Sequence, residues 1–82
     1  NLWQSYQNIA AIYFQQKKYD QALENMQKGA SVNPKNLNLR VNLGVVYLIM
    51  GEKDKAKETF TEVLSIDPSN QLANQGLVEA SK

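Results

Sequence analysis

Pro34 and Pro68 stand 34 residues apart, and the spacing marks a repeat. Sliding the 82-residue chain by that interval aligns residues 3–36 with residues 37–70 and gives eight identities: Asn8/Asn42, Tyr13/Tyr47, Asp20/Asp54, Ala22/Ala56, Glu24/Glu58, Ser31/Ser65, Pro34/Pro68 and Asn36/Asn70. Unrelated segments of this length would share about two. The pairs Ile9/Leu43, Ile12/Val46, Met26/Phe60 and Val32/Ile66 exchange one apolar side chain for another. A period of this length belongs to a supersecondary unit too small to bury its own apolar face, so each copy leans on the one stacked against it.

Within each copy the apolar spacing is helical. Tyr6, Ile9, Ala10 and Tyr13 recur at i, i+3, i+4 and i+7, which predicts a helix over residues 3–16 that buries this face. Ala22, Leu23, Met26, Gly29 and Ala30 predict a second helix over 20–32, and Asn33-Pro34 stops it because proline disfavours helical geometry in the residue before it. The second copy predicts helices over 37–50 and 54–66, with Gly51 in the turn and Asp67-Pro68 as the stop. Asp54 is the expected N-cap of the fourth helix, and Asn36 and Asn70 of the helices after the prolines. Gln71 to Ala80, with Ala73, Leu77 and Val78 on one side, predicts a fifth, capping helix. The expectation is one all-α domain over 1–82, divided into repeat 1 (3–36), repeat 2 (37–70) and a capping helix (71–82).

Composition then narrows the function. The chain is near the lower size limit for a self-sufficient core, yet 43% apolar residues with four Gly and two Pro are those of a packed protein. There is no cysteine, which removes disulfides and thiolate metal sites, and no histidine, which removes the commonest general base and metal ligand. An enzyme is therefore not expected, nor any cofactor or metal. A net charge of +1 is too small to attract a polyanion, so nucleic acid is not an expected partner. The uncharged run Val41 to Gly51 falls well short of the roughly 20 residues that span a bilayer, so direct membrane insertion is not expected. The chain starts at Asn1 without a secretory leader pattern; it is expected to be an excised or processed segment, soluble, with the cytoplasm as the default compartment.

Leu43-Gly44-x-x-Tyr47, then Ala56-x-x-x-Phe60, then Pro68, resembles the pattern of the tetratricopeptide repeat (TPR) family. Ile9-Ala10-x-x-Tyr13, Ala22-x-x-x-Met26 and Pro34 match it more loosely. The resemblance covers residues 3–70 fully and 71–82 in part. It implies an all-α fold, a right-handed alpha-alpha superhelix (solenoid) of antiparallel helix pairs with about five helices. Small Ala10, Gly44, Ala22 and Ala56 would let paired helices approach, while Tyr13, Tyr47 and Phe60 would fill gaps between hairpins. The sequence departs at Arg40, where the pattern favours Trp, and at Lys53 and Lys57, where the first copy has Tyr19 and Leu23. An Arg stem can cover apolar surface with its head in water. Two lysines are costly to bury on the face where a further repeat would pack, which implies that the second repeat is the last complete one of an array, with further repeats upstream left open.

The resemblance also implies a function, binding of a peptide or partner helix in a concave groove lined by the first helix of each repeat. Mapped onto this chain, that surface is Gln4, Gln7, Asn8, Ala11, Phe14 and Gln15, then Asn38, Val41, Asn42, Val45, Leu48 and Ile49, extended by Leu72 and Gln75. None is charged. Asn8 and Asn42, equivalent in the two copies, are either an amide ladder for a peptide backbone or ordinary polar surface. Phe14, Val41, Val45, Leu48 and Ile49 form either an apolar strip for a ligand or a packing surface for another segment. One subset of the family clamps acidic C-terminal peptides of chaperones with lysines, asparagines and an arginine. This chain keeps only Asn42 of that set, with Gln7, Ala11, Leu72 and Gly76 at the other positions, which argues against that specificity.

Two further features are weaker. Glu58 and Glu62, one turn apart, read as a solvated face rather than an acid/base pair, and Lys53, Lys55 and Lys57 beside Glu52, Asp54 and Glu58 read as mixed surface charge. The alternative function is a self-associating assembly module, a homo-oligomer built through apolar Leu2, Trp3, Val41, Leu48 and Ile49.

Overall fold

The computed structural model describes residues 2–82; Asn1, the first residue of the expected domain, lies outside them. Five helices follow one another: α1 (Leu2–Gln15), α2 (Tyr19–Val32), α3 (Leu37–Ile49), α4 (Lys53–Ile66) and α5 (Gln71–Ala80). No strand occurs among the described residues. The expected all-α class and helix order hold, with boundaries shifted by at most a residue, and no helix among the described residues is long and apolar enough to cross a membrane. The chain divides into two compact units, Asn1–Leu39 and Arg40–Lys82, so the division falls inside α3.

In the first unit α1 and α2 form a hairpin whose buried residues are Ala10 from α1 and Ala22, Met26 and Gly29 from α2. Gly29 faces α1: a Cβ there would lie 3.5 Å from the Trp3 carbonyl oxygen and from the Tyr6 Cβ, and 3.9 Å from Leu39. The second unit is built around Phe60. Its ring is fully buried and lies against Gly44 of α3 and Gly76 of α5, while Ala56, Thr59 and Val63 of α4 complete the buried face. Thr59 is accommodated because its hydroxyl donates to the Lys55 carbonyl one turn back, at 2.8 Å.

The helix ends follow the chemistry of the turns. The Leu39 amide donates to the Asn36 Oδ1 at 3.3 Å and the Ala73 amide to the Asn70 Oδ1 at 2.9 Å, so both asparagines cap the helices after the prolines, as expected. Asp54 does not cap α4: it lies inside the first turn, and Glu52 occupies the cap position without a side-chain hydrogen bond. The tight turn explains the difference. The Gly51 amide donates to the Leu48 carbonyl and that of Glu52 to Tyr47, so the chain re-enters a helix two residues earlier than an Asp54 cap would allow.

Gly51 makes this turn with φ +81, and Lys17, its equivalent in the first copy, does so with φ 62. Left-handed backbone is free for glycine and costs an L-residue roughly 1–2 kcal/mol. Part of that is offset by the greater freedom glycine has in the unfolded chain. Lys17→Gly is therefore expected to stabilise the chain by about 0.5–1 kcal/mol, read as a higher urea midpoint at unchanged slope. A lower midpoint would show that the Lys17 side chain contributes more than its backbone costs.

Candidate functional site

The two first helices are the elements to inspect, because the 34-residue register gives them equivalent positions. On α1, Gln4, Asn8, Ala11 and Gln15 are exposed on one side of the helix, at the i, i+4, i+7 and i+11 spacing that aligns them. Gln7 and Phe14 flank them and are half-buried. Phe14 is tied into its own hairpin: its ring meets Tyr19 of α2 edge-on, with centroids 5.5 Å apart. That contact makes Phe14 the wall of the face rather than a free apolar anchor.

On α3 the matching residues are Asn38, Asn42, Val45 and Ile49, all exposed. Leu48 is half-buried. Val41 is 2% exposed and belongs to the core, so it is removed from the expected apolar strip and from the expected self-association surface. Helix α3 is apolar almost all round, so its sequence does not single out one face, and packing assigns Val41 to the interior. Trp3 is likewise half-buried, with its carbonyl beside Gly29, whereas Leu2 and Ile49 are exposed. Leu72 and Gln75, the extension of the surface into α5, are both exposed.

These faces are neutral. Neither α1 nor the exposed side of α3 carries a lysine, arginine, aspartate or glutamate; Arg40 on α3 is half-buried. Nine of the seventeen charged side chains lie on α2 and α4, and most of the others in the turns and at the C-terminal end. Lys28 stands 5.9 Å from the Tyr6 ring centre and Lys55 5.8 Å from that of Tyr47, and Glu24 pairs with Lys28 at 3.4 Å along exposed α2. Such exposed pairs contribute little to stability. Lys53 and Lys57 are exposed, as their charge demands, and so are Glu58 and Glu62. No group of three carboxylates arranged for a metal occurs among the described residues.

Sequence reasoning placed Ile9 on the buried face with Tyr6, Ala10 and Tyr13. The structure buries Ala10 fully and the two tyrosines in part, but leaves Ile9 exposed. It also leaves Ile12 exposed, a residue not assigned to any surface beforehand. Their equivalents Leu43 and Val46 gave the only hint, since a repeat face shared by two copies need not have the same neighbours in each.

Comparison with known proteins accords with this geometry. A family model described as tetratricopeptide repeat matches residues 13–75. Heat shock protein STI1 of Saccharomyces cerevisiae is 32% identical over 72 residues, covering 88% of this chain and 12% of that protein. The BBSome complex member BBS4 homolog of Drosophila melanogaster is 31% identical over 64 residues, covering 78% of this chain and 13% of that protein. This chain thus spans about an eighth of the length of these relatives. Among solved structures, the second TPR domain of human RPAP3, in complex with the HSP70 peptide SGPTIEEVD, has a TM-score of 0.84 over 94% of this chain and 64% of that one. Its sequence identity is 23%, so the likeness is one of fold.

Proposed function

The chain belongs to the tetratricopeptide repeat family, and from that premise we propose that it is a non-enzymatic interaction scaffold. It holds an extended or helical segment of another protein against the uncharged exposed side of a repeat's first helix. The absence of histidine and cysteine from the sequence supports the non-enzymatic part of this reading.

The observation that carries the reading is the equivalence of Asn8 and Asn42, both exposed side-chain amides at the same repeat position. Each can donate to a backbone carbonyl and accept from a backbone N–H, so an amide at this repeat position engages a main chain without selecting its side chains. Val45 and Ile49, 39% and 47% exposed, supply the apolar area that such hydrogen bonds alone lack. The HSP70 peptide held by the RPAP3 domain has glutamates and an aspartate at its end. Here α1 carries no cation and α3 carries one, the half-buried Arg40, too few to clamp such a tail, so the partner segment is uncharged or amphipathic.

The test is a peptide display selection on the 82-residue chain, followed by calorimetry of the selected sequences on wild type and on Asn8→Ala/Asn42→Ala. Two net hydrogen bonds predict a roughly 10- to 100-fold loss of affinity. Stability should not change, because both residues are exposed. Undiminished binding by a folded double variant would remove the amide mechanism. Selection of acidic peptides would overturn the proposed specificity.

A further inference from the structure

Within the second unit, α3 from Arg40 onward, α4 and α5 share one fixed point, the Phe60 ring. Cβ sites at Gly44 of α3 and Gly76 of α5 fall 2.7 and 2.6 Å from its Cε1, so the two helices converge there from either side. Each joins α4 through a turn of three or four residues, so α3 and α5 run the same way. Val45 and Ile49 lie about 100° and 140° ahead of Gly44 around α3, whereas Gln75 and Glu79 lie about 100° and 60° behind Gly76 around α5. Opposite rotations on two parallel helices that flank one ring turn both sets to the same side. Leu72, 62% exposed, stands one turn before Gly76 on that side.

Axial rise sets the order along that side. Val45 and Ile49 are about 1.5 and 7.5 Å beyond Gly44, and Glu79 is about 4.5 Å beyond Gly76, so Glu79 comes level between the two apolar side chains. It is the repeat equivalent of Ala11 and Val45, and of these three only Glu79 is charged. Helix stability does not explain a carboxylate there, since Glu79 lies in the last turn of α5, at the negative end of the helix dipole. Its carboxylate meets the Lys82 ammonium at 3.1 Å, with the two side chains 60% and 67% exposed. An ammonium therefore fits the position, and an exposed pair at this spacing is weak enough to be exchanged for another cation.

We infer that Glu79 selects the partner segment by charge. The segment carries a lysine or arginine flanked by apolar side chains, which lie on Val45, Ile49 and Leu72 while the cation replaces Lys82 on the Glu79 carboxylate. This rests on the binding face proposed above, and it narrows the partner from an uncharged or amphipathic segment to one with a cation among apolar residues. Arginine fits best, because its planar fork engages both carboxylate oxygens. An acidic segment is repelled at the same point, which adds discrimination to attraction.

Display selection from a random peptide library on wild type, Glu79→Gln and Glu79→Lys tests this, because it reads the composition of the bound peptides as well as their affinity. Wild type should enrich lysine and arginine next to apolar residues, Glu79→Gln should lose that enrichment, and Glu79→Lys should favour aspartate and glutamate instead. A selected cationic peptide should bind Glu79→Gln roughly two- to fivefold more weakly than wild type, and the gap should close as sodium chloride is raised. Lys82→Ala, which removes the competing ammonium, should bind that peptide at least as tightly as wild type. Circular dichroism should be unchanged throughout, because Glu79 and Lys82 are exposed. Peptides without a charge preference on wild type, whose binding still falls with Asn42→Ala, would overturn the role of Glu79 and leave the binding face standing. Peptides indifferent to both Asn42 and Glu79 would overturn the two together.

Discussion

Phe60→Ala is expected to lower the unfolding free energy by about 3–5 kcal/mol, the cost of removing a fully buried aromatic ring and leaving a cavity. The loss is large against the 5–15 kcal/mol of a typical domain, so the variant should be partly unfolded at room temperature. The upper half of that range is favoured by what surrounds the ring. Phe60 is 0% exposed and lies between two glycines, Gly44 on α3 and Gly76 on α5, which have no side chains to swing into the space it vacates. Collapse would require α3 or α5 to move bodily. The consequence reaches the proposed binding face, since the Gly44 contact fixes α3, which carries Asn42 and Val45. Urea denaturation followed by circular dichroism measures the effect. A loss below about 1 kcal/mol would mean that the site closes over and that Phe60 is not the wedge of its unit.

Much of this arrangement was legible in the sequence, for reasons that are local. The turns after α2 and α4 follow from a residue preceding proline, and Asn36 and Asn70 cap by a side-chain reach that depends on no distant neighbour. The small residues Gly44 and Ala56 announced a close helix approach, and both are buried. What was not legible depends on neighbours. Ile9 and Leu43 occupy one repeat position with similar side chains, yet Ile9 is exposed and Leu43 is half-buried, because burial of a stacking face is decided by whatever lies against it. Val41 was misassigned because α3 has apolar residues on nearly every side, which leaves periodicity without a face to select. Lys17 gave no sign of its positive φ except through its register with Gly51. On the candidate site, the sequence was enough to place Asn8 and Asn42 at equivalent positions; their exposure had to be seen.

Gly76→Ala is expected to destabilise the chain by about 1–3 kcal/mol, although alanine is ordinarily the better helix former by up to about 1 kcal/mol. The added Cβ would stand 2.6 Å from the Phe60 Cε1 and Cε2 and nearer still to Cζ, closer than folded proteins tolerate. The ring cannot retreat, because a Cβ site at Gly44 lies only 2.7 Å from the Cε1 and Cζ of the same ring. Gly29→Ala is the internal comparison. Its Cβ would meet nothing nearer than 3.5 Å, so propensity decides and a gain of about 0.5–1 kcal/mol is expected. Opposite signs for one substitution at two buried helical glycines separate sterics from propensity; the same sign at both would refute the wedge. Phe60→Leu should rescue Gly76→Ala in part, a coupling that a double-mutant cycle reads directly. The clash also bears on specificity. Gly76 falls at one of the positions matched to the acidic-peptide clamp, and a lysine there would drive its stem into the Phe60 ring. Gly76→Lys is therefore expected to lose helicity before it gains affinity for SGPTIEEVD, so the neutral surface is not converted to a carboxylate clamp by that single change.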